Sequence, residues 1–274
     1  MHDLTRVRLI LTDMDGTLLN SRMALPDHLF ETIEKLDALG IRFGIASGRS
    51  YPTLAELFAP VRDKMLFMAE TGGCIVDRGR LLAISPLSEA QVAYLLDECR
   101  PIPGLYPICS CYEHAYILKR YPPEVIETVH RFYRSVSWAG DLYHLPEPVC
   151  KVTVCDLAGA EHYGYPRLAH ISSPLRVTLS GQIWIDLCPE GNGKGAGLAR
   201  IQESFGLTPA QTMAFGDYLN DCDMMPHAYY SYAMANAHPD LAAVCRFRTL
   251  SNDEDGVMRI LRELLKAHGV PVPV

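Results

Sequence analysis

The chain has no uninterrupted apolar stretch long enough to cross a bilayer, no fixed-period repeat and no low-complexity tract. Membrane-spanning and repeat architectures are thereby set aside. It also lacks a lysine/arginine block, and its formal net charge is −7. A sequence-independent grip on nucleic acid needs clustered cations, so no nucleic-acid partner is expected. Small anionic substrates remain open, because they respond to charge at a site rather than to the total. Export features are missing as well. Residues 1–8 carry charges and lead straight into a strand without the apolar run of a signal peptide. The 9 cysteines are an odd count, with one C-x-C pair (Cys109, Cys111) and no second pair at zinc spacing. Buried, reduced thiols and a cytoplasmic location are the expectation.

At 274 residues, 49% hydrophobic and 21% charged, the chain is long enough for a core domain plus a second one. Segment 7–12 (VRLILT) is nearly continuously apolar, as a strand buried on both faces must be. A helix over 27–39 follows, with Leu29, Ile33, Leu36 and Leu39 on one face and Gly40 at its C-terminal cap. Strands at 41–46 and 65–69 flank a helix at 51–58. This alternation implies right-handed βαβ units and a parallel sheet.

The rhythm breaks near a hairpin over 74–84 that turns at Arg78-Gly79. From 85 to 188 we expect helices at 88–99 and 123–133, strands at 106–110, 115–119, 152–155, 176–180 and 183–188, and a helix between 155 and 176. Strands and helices no longer alternate, which describes an inserted α+β domain. The α/β rhythm returns after Pro189: helix 194–205, strand 212–215, a helical turn at 221–225, strand 229–234, and helices at 241–244 and 256–268. The expected organisation is therefore a Rossmann-like core from 1–84 and 189–274, interrupted by a second domain over 85–188.

Four segments at the ends of core strands carry chemistry. Asp13-Met14-Asp15-Gly16-Thr17 follows the first buried strand, where open parallel sheets place their sites. Of two carboxylates at one edge, one can attack phosphorus while the other exchanges a proton with the leaving oxygen and with water. An isolated D-x-D-G is equally an ordinary polar strand exit. Ala46-Ser47-Gly48-Arg49 ends the second strand; its hydroxyl and backbone N–H groups suit a phosphoryl oxygen, or a simple helix cap. Gly191-Asn192-Gly193-Lys194-Gly195 precedes a helix but is not a Walker loop, since Cys188 and Gly195 stand where glycine and Ser/Thr belong. Gly191, Gly193 and Ala196 fit a loose dinucleotide pattern that lacks its acidic partner. Lys194 is better placed as a cation on a transferring phosphoryl group. Gly216-Asp217-Tyr218-Leu219-Asn220-Asp221 offers carboxylates for an octahedral Mg²⁺ shell, or an Asx-rich turn.

Taken together in this order, DMDGTLL, ASGR, NGKG and GDYLNDCDMM resemble the four motifs of the haloacid dehalogenase superfamily, specifically its Cof-like phosphatase branch. AMANAHPDL (233–241) and SNDEDGV (251–257) are also similar to that branch. The insertion between the second and third motifs resembles its C2 cap, type IIB. The resemblance implies a Mg²⁺-dependent phosphatase acting on a small phosphorylated metabolite, with Asp13 as nucleophile and Asp15 as general acid/base. It implies that Asp13 and Asp217 bind the metal through side chains, Asp15 through its carbonyl, and Asp221 directly or through water. Ser47, Gly48, Lys194 and Asn220 would hold the phosphoryl group. A phosphomutase, and a phosphometabolite-binding regulator without turnover, are the alternatives.

The stretch Glu70-Thr71-Gly72-Gly73 departs from the pattern, with threonine where relatives commonly have asparagine, so contacts around the phosphate are expected to differ. Asp223 and Asp253 are expected to cap or solvate, and Arg49 to face solvent. Tyr112, His114, Tyr116 and Trp138 either line a substrate pocket or pack. Hinges are expected near 83–85 and 188–191. The substrate and the oligomeric state are not legible.

Overall fold

The computed structural model describes residues 3–272. In chain order its strands and helices are β1 (Leu9–Thr12), α1 (Leu29–Ala38), β2 (Arg42–Ala46), α2 (Tyr51–Leu57), β3 (Met65–Ala69), β4 (Cys74–Asp77), β5 (Arg80–Ile84) and α3 (Glu89–Cys99). Next come β6 (Leu105–Cys111), β7 (Ala115–Leu118), α4 (Pro123–Phe132), β8 (Val136–Ala139), β9 (Val149–Asp156), α5 (Gly164–Leu168), β10 (Leu175–Gly181) and β11 (Trp184–Pro189). The chain then forms α6 (Lys194–Phe205), β12 (Thr212–Gly216), β13 (Tyr230–Ala233), α7 (Pro239–Val244), β14 (Phe247–Arg248) and α8 (Gly256–Ala267).

Contacts divide the chain into two compact units. The first takes in residues up to Ser47, Phe58–Leu82, and everything from Gly193 onward. Its sheet has the order β14-β13-β12-β1-β2-β3-β4-β5. The six strands from β14 to β3 are parallel, and β4 runs antiparallel to β3. All four β1 residues are buried, which explains the apolar run that marks this strand. Strand order reverses at β1, with β2 on one side and β12 on the other, so the loops leaving these strands meet at a topological switch point. Helix α1 buries Leu29, Ile33 and Leu36 as its spacing requires, but it starts two residues after the expected 27. His28 occupies a left-handed backbone conformation (φ 60°) at that boundary.

The second unit comprises Gly48–Leu57 and Ala83–Asn192. It differs from the expected 85–188 chiefly because α2 packs with it. Thr53 Oγ1 donates to the Phe132 carbonyl (3.4 Å), Tyr51 stacks on Tyr112 with centroids 5.4 Å apart, and Lys151 Nζ donates to the Gly48 carbonyl (2.8 Å). Its sheet, β10-β11-β9-β6-β7-β8, is antiparallel except for the β7–β8 pair. The fold is α/β with an α+β insertion, as expected.

Strand β9 is buried along all 8 residues, twice the expected length, because Lys151, just before the expected start, reads as a surface residue. Lys151 and Thr153 are polar members of this buried strand. Both are satisfied by Asp186 on the neighbouring strand β11: Lys151 Nζ lies 2.9 Å from Oδ2, and Thr153 Oγ1 lies 2.8 Å from Oδ1. Removing one member of such a buried pair leaves an uncompensated charge. Lys151→Met should therefore destabilise the protein by roughly 3–5 kcal/mol, and the double change Lys151→Met/Asp186→Leu should recover most of the loss. Urea unfolding checks this; equal stability of Lys151→Met and wild type would contradict it. None of the nine cysteines forms a disulfide and seven are buried; burial pushes thiols such as Cys109 up to about 12.

Candidate active site

Parallel register places the exits of β1 and β12 at one level, with Thr12 opposite Phe215. The Asp13 N–H donates to the Phe215 carbonyl at 3.0 Å, which fixes the backbone where β1 ends. The Asp13 carboxylate is buried, and Lys194, the first residue of α6, reaches it. Lys194 Nζ lies 2.5 Å from Asp13 Oδ1 and 2.5 Å from Asp221 Oδ1, and neither Lys194 nor Asp221 has exposed side-chain surface. The second Asp221 oxygen accepts the N–H groups of Asp217 (3.1 Å) and Tyr218 (3.3 Å), so one carboxylate orients both the lysine and the loop after β12. Thr17 Oγ1 donates to Asp217 Oδ1 at 2.7 Å. One oxygen each from Asp13, Asp217 and Asp221 falls within 4.8 Å of the others.

The electrostatics follow from this crowding. Burial, reinforced by the charges of Asp221 and Asp217 and opposed by Lys194, pushes Asp13 up to about 8. Burial also raises Asp217, with Asp221 adding to the shift and the Thr17 hydroxyl opposing it. For Lys194 burial acts downward, but the carboxylates of Asp13 and Asp221 outweigh it and hold the ammonium above its ordinary value. One ammonium against three carboxylates leaves a surplus of negative charge. Hard oxygen donors at this separation with unbalanced charge fit a divalent cation such as Mg²⁺.

Two glycines allow the close approaches. Gly16 has φ +81°, and a Cβ there would strike Asp217 Oδ2. A Cβ on Gly195 would strike the Asp223 carbonyl, so only glycine lets α6 start close enough for Lys194 to reach inward.

Asp13, Lys194, Asp217 and Asp221 thus converge. Asp15 is exposed on the loop two residues beyond Asp13, and Asn220 is exposed on the turn Leu219–Asp221. Ser47 is buried at the end of β2; its N–H donates to the Met68 carbonyl (2.9 Å) and its carbonyl accepts from Thr71 N–H (3.0 Å). Gly48 falls in the second unit, held through its carbonyl by Lys151. Thr71 therefore contributes its backbone, in a run of left-handed residues (Glu70 φ 51°, Thr71 φ 53°, Gly72 φ 84°). Asp253, expected to cap or solvate, instead accepts the N–H of Ser21, a loop residue far earlier in the chain, at 2.8 Å. In the second unit Glu147 gathers His114 Nδ1 (2.5 Å), Tyr116 OH (2.8 Å) and Glu113 N–H (2.8 Å). The exposed Trp138 meets His130 edge-on. Sequence reasoning missed the Thr17 hydroxyl as a support for Asp217. Its place directly after D-x-D-G was the available signal.

The chain belongs to the haloacid dehalogenase-like hydrolase family, whose profile matches residues 10–261, and it is a phosphatase-type hydrolase of that family. Among curated relatives, it is 28% identical over 268 residues to the 5-amino-6-(5-phospho-D-ribitylamino)uracil phosphatase YbjI of Escherichia coli K12, covering 97% of this chain and 98% of that protein. The crystal structure of SMU.1108c from Streptococcus mutans UA159 superposes with a TM-score of 0.82 at 29% identity, covering 95% of this chain and 99% of the other. The subclass IIB sugar phosphatase BT4131 shares the fold, with a TM-score of 0.75 at 22% identity over 97% of this chain and 100% of the other. Among the described residues no helix is long and apolar enough to cross a membrane.

Proposed function

We propose that this phosphatase hydrolyses small phosphomonoesters, sugar phosphates or cofactor-related esters, with Mg²⁺ and through a phosphoaspartyl intermediate at Asp13. The observation that carries this reading is the buried Asp13–Lys194–Asp221 bridge beside Asp217 at the switch point of the sheet. The ribityl phosphate named for the Escherichia coli relative supports a phosphorylated polyol or sugar as the substrate class.

In the first step an Asp13 carboxylate oxygen attacks phosphorus, and the ester P–O bond breaks. Asp15 gives its proton to the departing oxygen, so the alcohol leaves neutral. In the second step Asp15 takes a proton from water, which attacks the phosphoaspartate and frees inorganic phosphate and Asp13. Lys194 and the Ser47 hydroxyl hold phosphoryl oxygens throughout, with Gly48 and Asn220 assisting. Asp13 and Asp217 would hold Mg²⁺ by side chains and Asp15 by its carbonyl. Asp221 would act through water, since its oxygens already serve Lys194 and two backbone N–H groups. Bound there, Mg²⁺ supplies charge neutralisation and polarises the phosphoryl group. Nine cysteines outside any disulfide support a reducing, cytoplasmic setting.

Phosphate release from a panel of metabolite phosphomonoesters, with Mg²⁺ and with chelator, tests the reading. Release that needs Mg²⁺ is expected, with phosphorylated sugars and polyols ranking first. Absence of release from every ester in the presence of Mg²⁺ would sink the reading, and conversion of an ester to its positional isomer would replace it with a mutase.

A further inference from the structure

The stretches 233–241 and 251–257 have no part in the chemistry above, yet both reach the loop that carries Asp15. That loop turns tightly after β1: the Met14 carbonyl accepts the N–H groups of Thr17 (3.3 Å), Leu18 (3.0 Å) and Leu19 (2.8 Å). Leu19 also forms an isolated bridge with Asp15. Three side chains from the far end of the core then grip it. Asn236 Nδ2 donates to the Gly16 carbonyl (2.8 Å), Asn252 Nδ2 donates to the Leu19 carbonyl (2.9 Å), and Asp253 Oδ1 accepts the Ser21 N–H (2.8 Å). The Asn252 N–H donates to Asn236 Oδ1 at 3.1 Å, joining the two asparagines in one relay. Only one orientation of the Asn236 amide satisfies both neighbours, because the Gly16 carbonyl can only accept and the Asn252 N–H can only donate. All these residues lie in the first compact unit.

Gly16 explains why such a clamp is needed. Its left-handed backbone lets the loop pass Asp217, but glycine is the residue with the most conformational freedom, and it directly follows Asp15. Fixing the Gly16 carbonyl fixes the planar 16–17 peptide. With Asp13 held on the other side through its backbone, the backbone that carries Asp15 is then defined from both ends. A general acid displaced by about an ångström loses much of its effect.

We infer that Asn236 and Asn252 are positioning residues for the general acid: their relay clamps Gly16 and Leu19 so that the Asp15 carboxyl meets the leaving oxygen. This rests on the reading of Asp15 as proton donor. Its test exploits leaving groups. An alkyl phosphate needs protonation as it departs, whereas p-nitrophenolate leaves readily without it, and kcat/KM reports on that first step alone. Asn236→Ala and Asn252→Ala should each lower kcat/KM for an alkyl phosphate about 10-fold while leaving p-nitrophenyl phosphate within about twofold. The double variant should be little worse than either, because one relay is broken. Asp15→Asn calibrates the pattern and should show the same selectivity more deeply, by roughly 10² to 10⁴-fold on the alkyl ester. Equal losses on both esters, or no loss on either, would overturn the clamp, even if the variants melted earlier. A wild-type protein that hydrolyses neither ester would instead overturn the phosphatase reading and the clamp with it.

Discussion

Asp13→Asn protein should release no phosphate above background, a loss on the order of 10⁴-fold or more, while remaining folded. The amide has no anionic oxygen to attack phosphorus, so the covalent route is closed rather than slowed. Folding should survive because the substitution removes one of three crowded carboxylates. The largest influences on the Asp13 carboxylate are desolvation on burial and repulsion from Asp221 and Asp217, opposed by attraction to Lys194. Without metal, a melting temperature close to wild type is therefore expected. Mg²⁺ should raise it less than in wild type, because one side-chain ligand is gone. Turnover within tenfold of wild type, measured by phosphate release over hours, would show that another group attacks.

Lys194→Met should fail differently, losing stability and turnover together. Nζ bridges two buried carboxylates at 2.5 Å each, so its removal leaves Asp13 and Asp221 facing one another without a cation. The expected destabilisation is roughly 3–5 kcal/mol. Loss of a preorganised positive charge on the phosphoryl group should lower kcat by a further 10² to 10³-fold, roughly the cost of removing one oxyanion donor. Mg²⁺ should recover part of the stability but not the rate, since it neutralises the same carboxylates from another side. Denaturant unfolding and phosphate release, each with and without Mg²⁺, separate these effects. Normal stability in the metal-free variant would mean that the bridge contributes nothing to the fold.

The core was legible because β1, β2 and β3 are buried and read as apolar runs, with a polar motif at each strand end. Strands β8 and β14 were missed for physical reasons. The residues of β8 are mostly half-exposed without alternation, and β14 has 2 residues, too few for any period to show. Strand β9 was read short because a buried lysine looks like a surface residue until Asp186 is known to face it. The grouping of α2 with the second unit depends on contacts far along the chain, to Tyr112, Phe132 and Lys151.

At the site, the carboxylates and Lys194 were legible by type and position. Their division of labour was not. Asp221 reads as a metal ligand, yet it also braces Lys194 and two backbone N–H groups, and that depends on a 3₁₀ turn placing it fully inside. Asn236 and Asn252 read only as part of a resemblance. Their use emerges where they touch a loop more than two hundred residues earlier.

The most direct test of the Asp13 nucleophile uses the Asp15→Asn variant with p-nitrophenyl phosphate and Mg²⁺. The first step needs no proton donor with this ester, whereas the second has lost its base, so the intermediate should accumulate. A burst of about one nitrophenolate per chain is expected. After acid quench and borohydride reduction, mass spectrometry should find homoserine at position 13. A burst with unmodified Asp13 and the phosphoryl group on another residue would contradict the assignment.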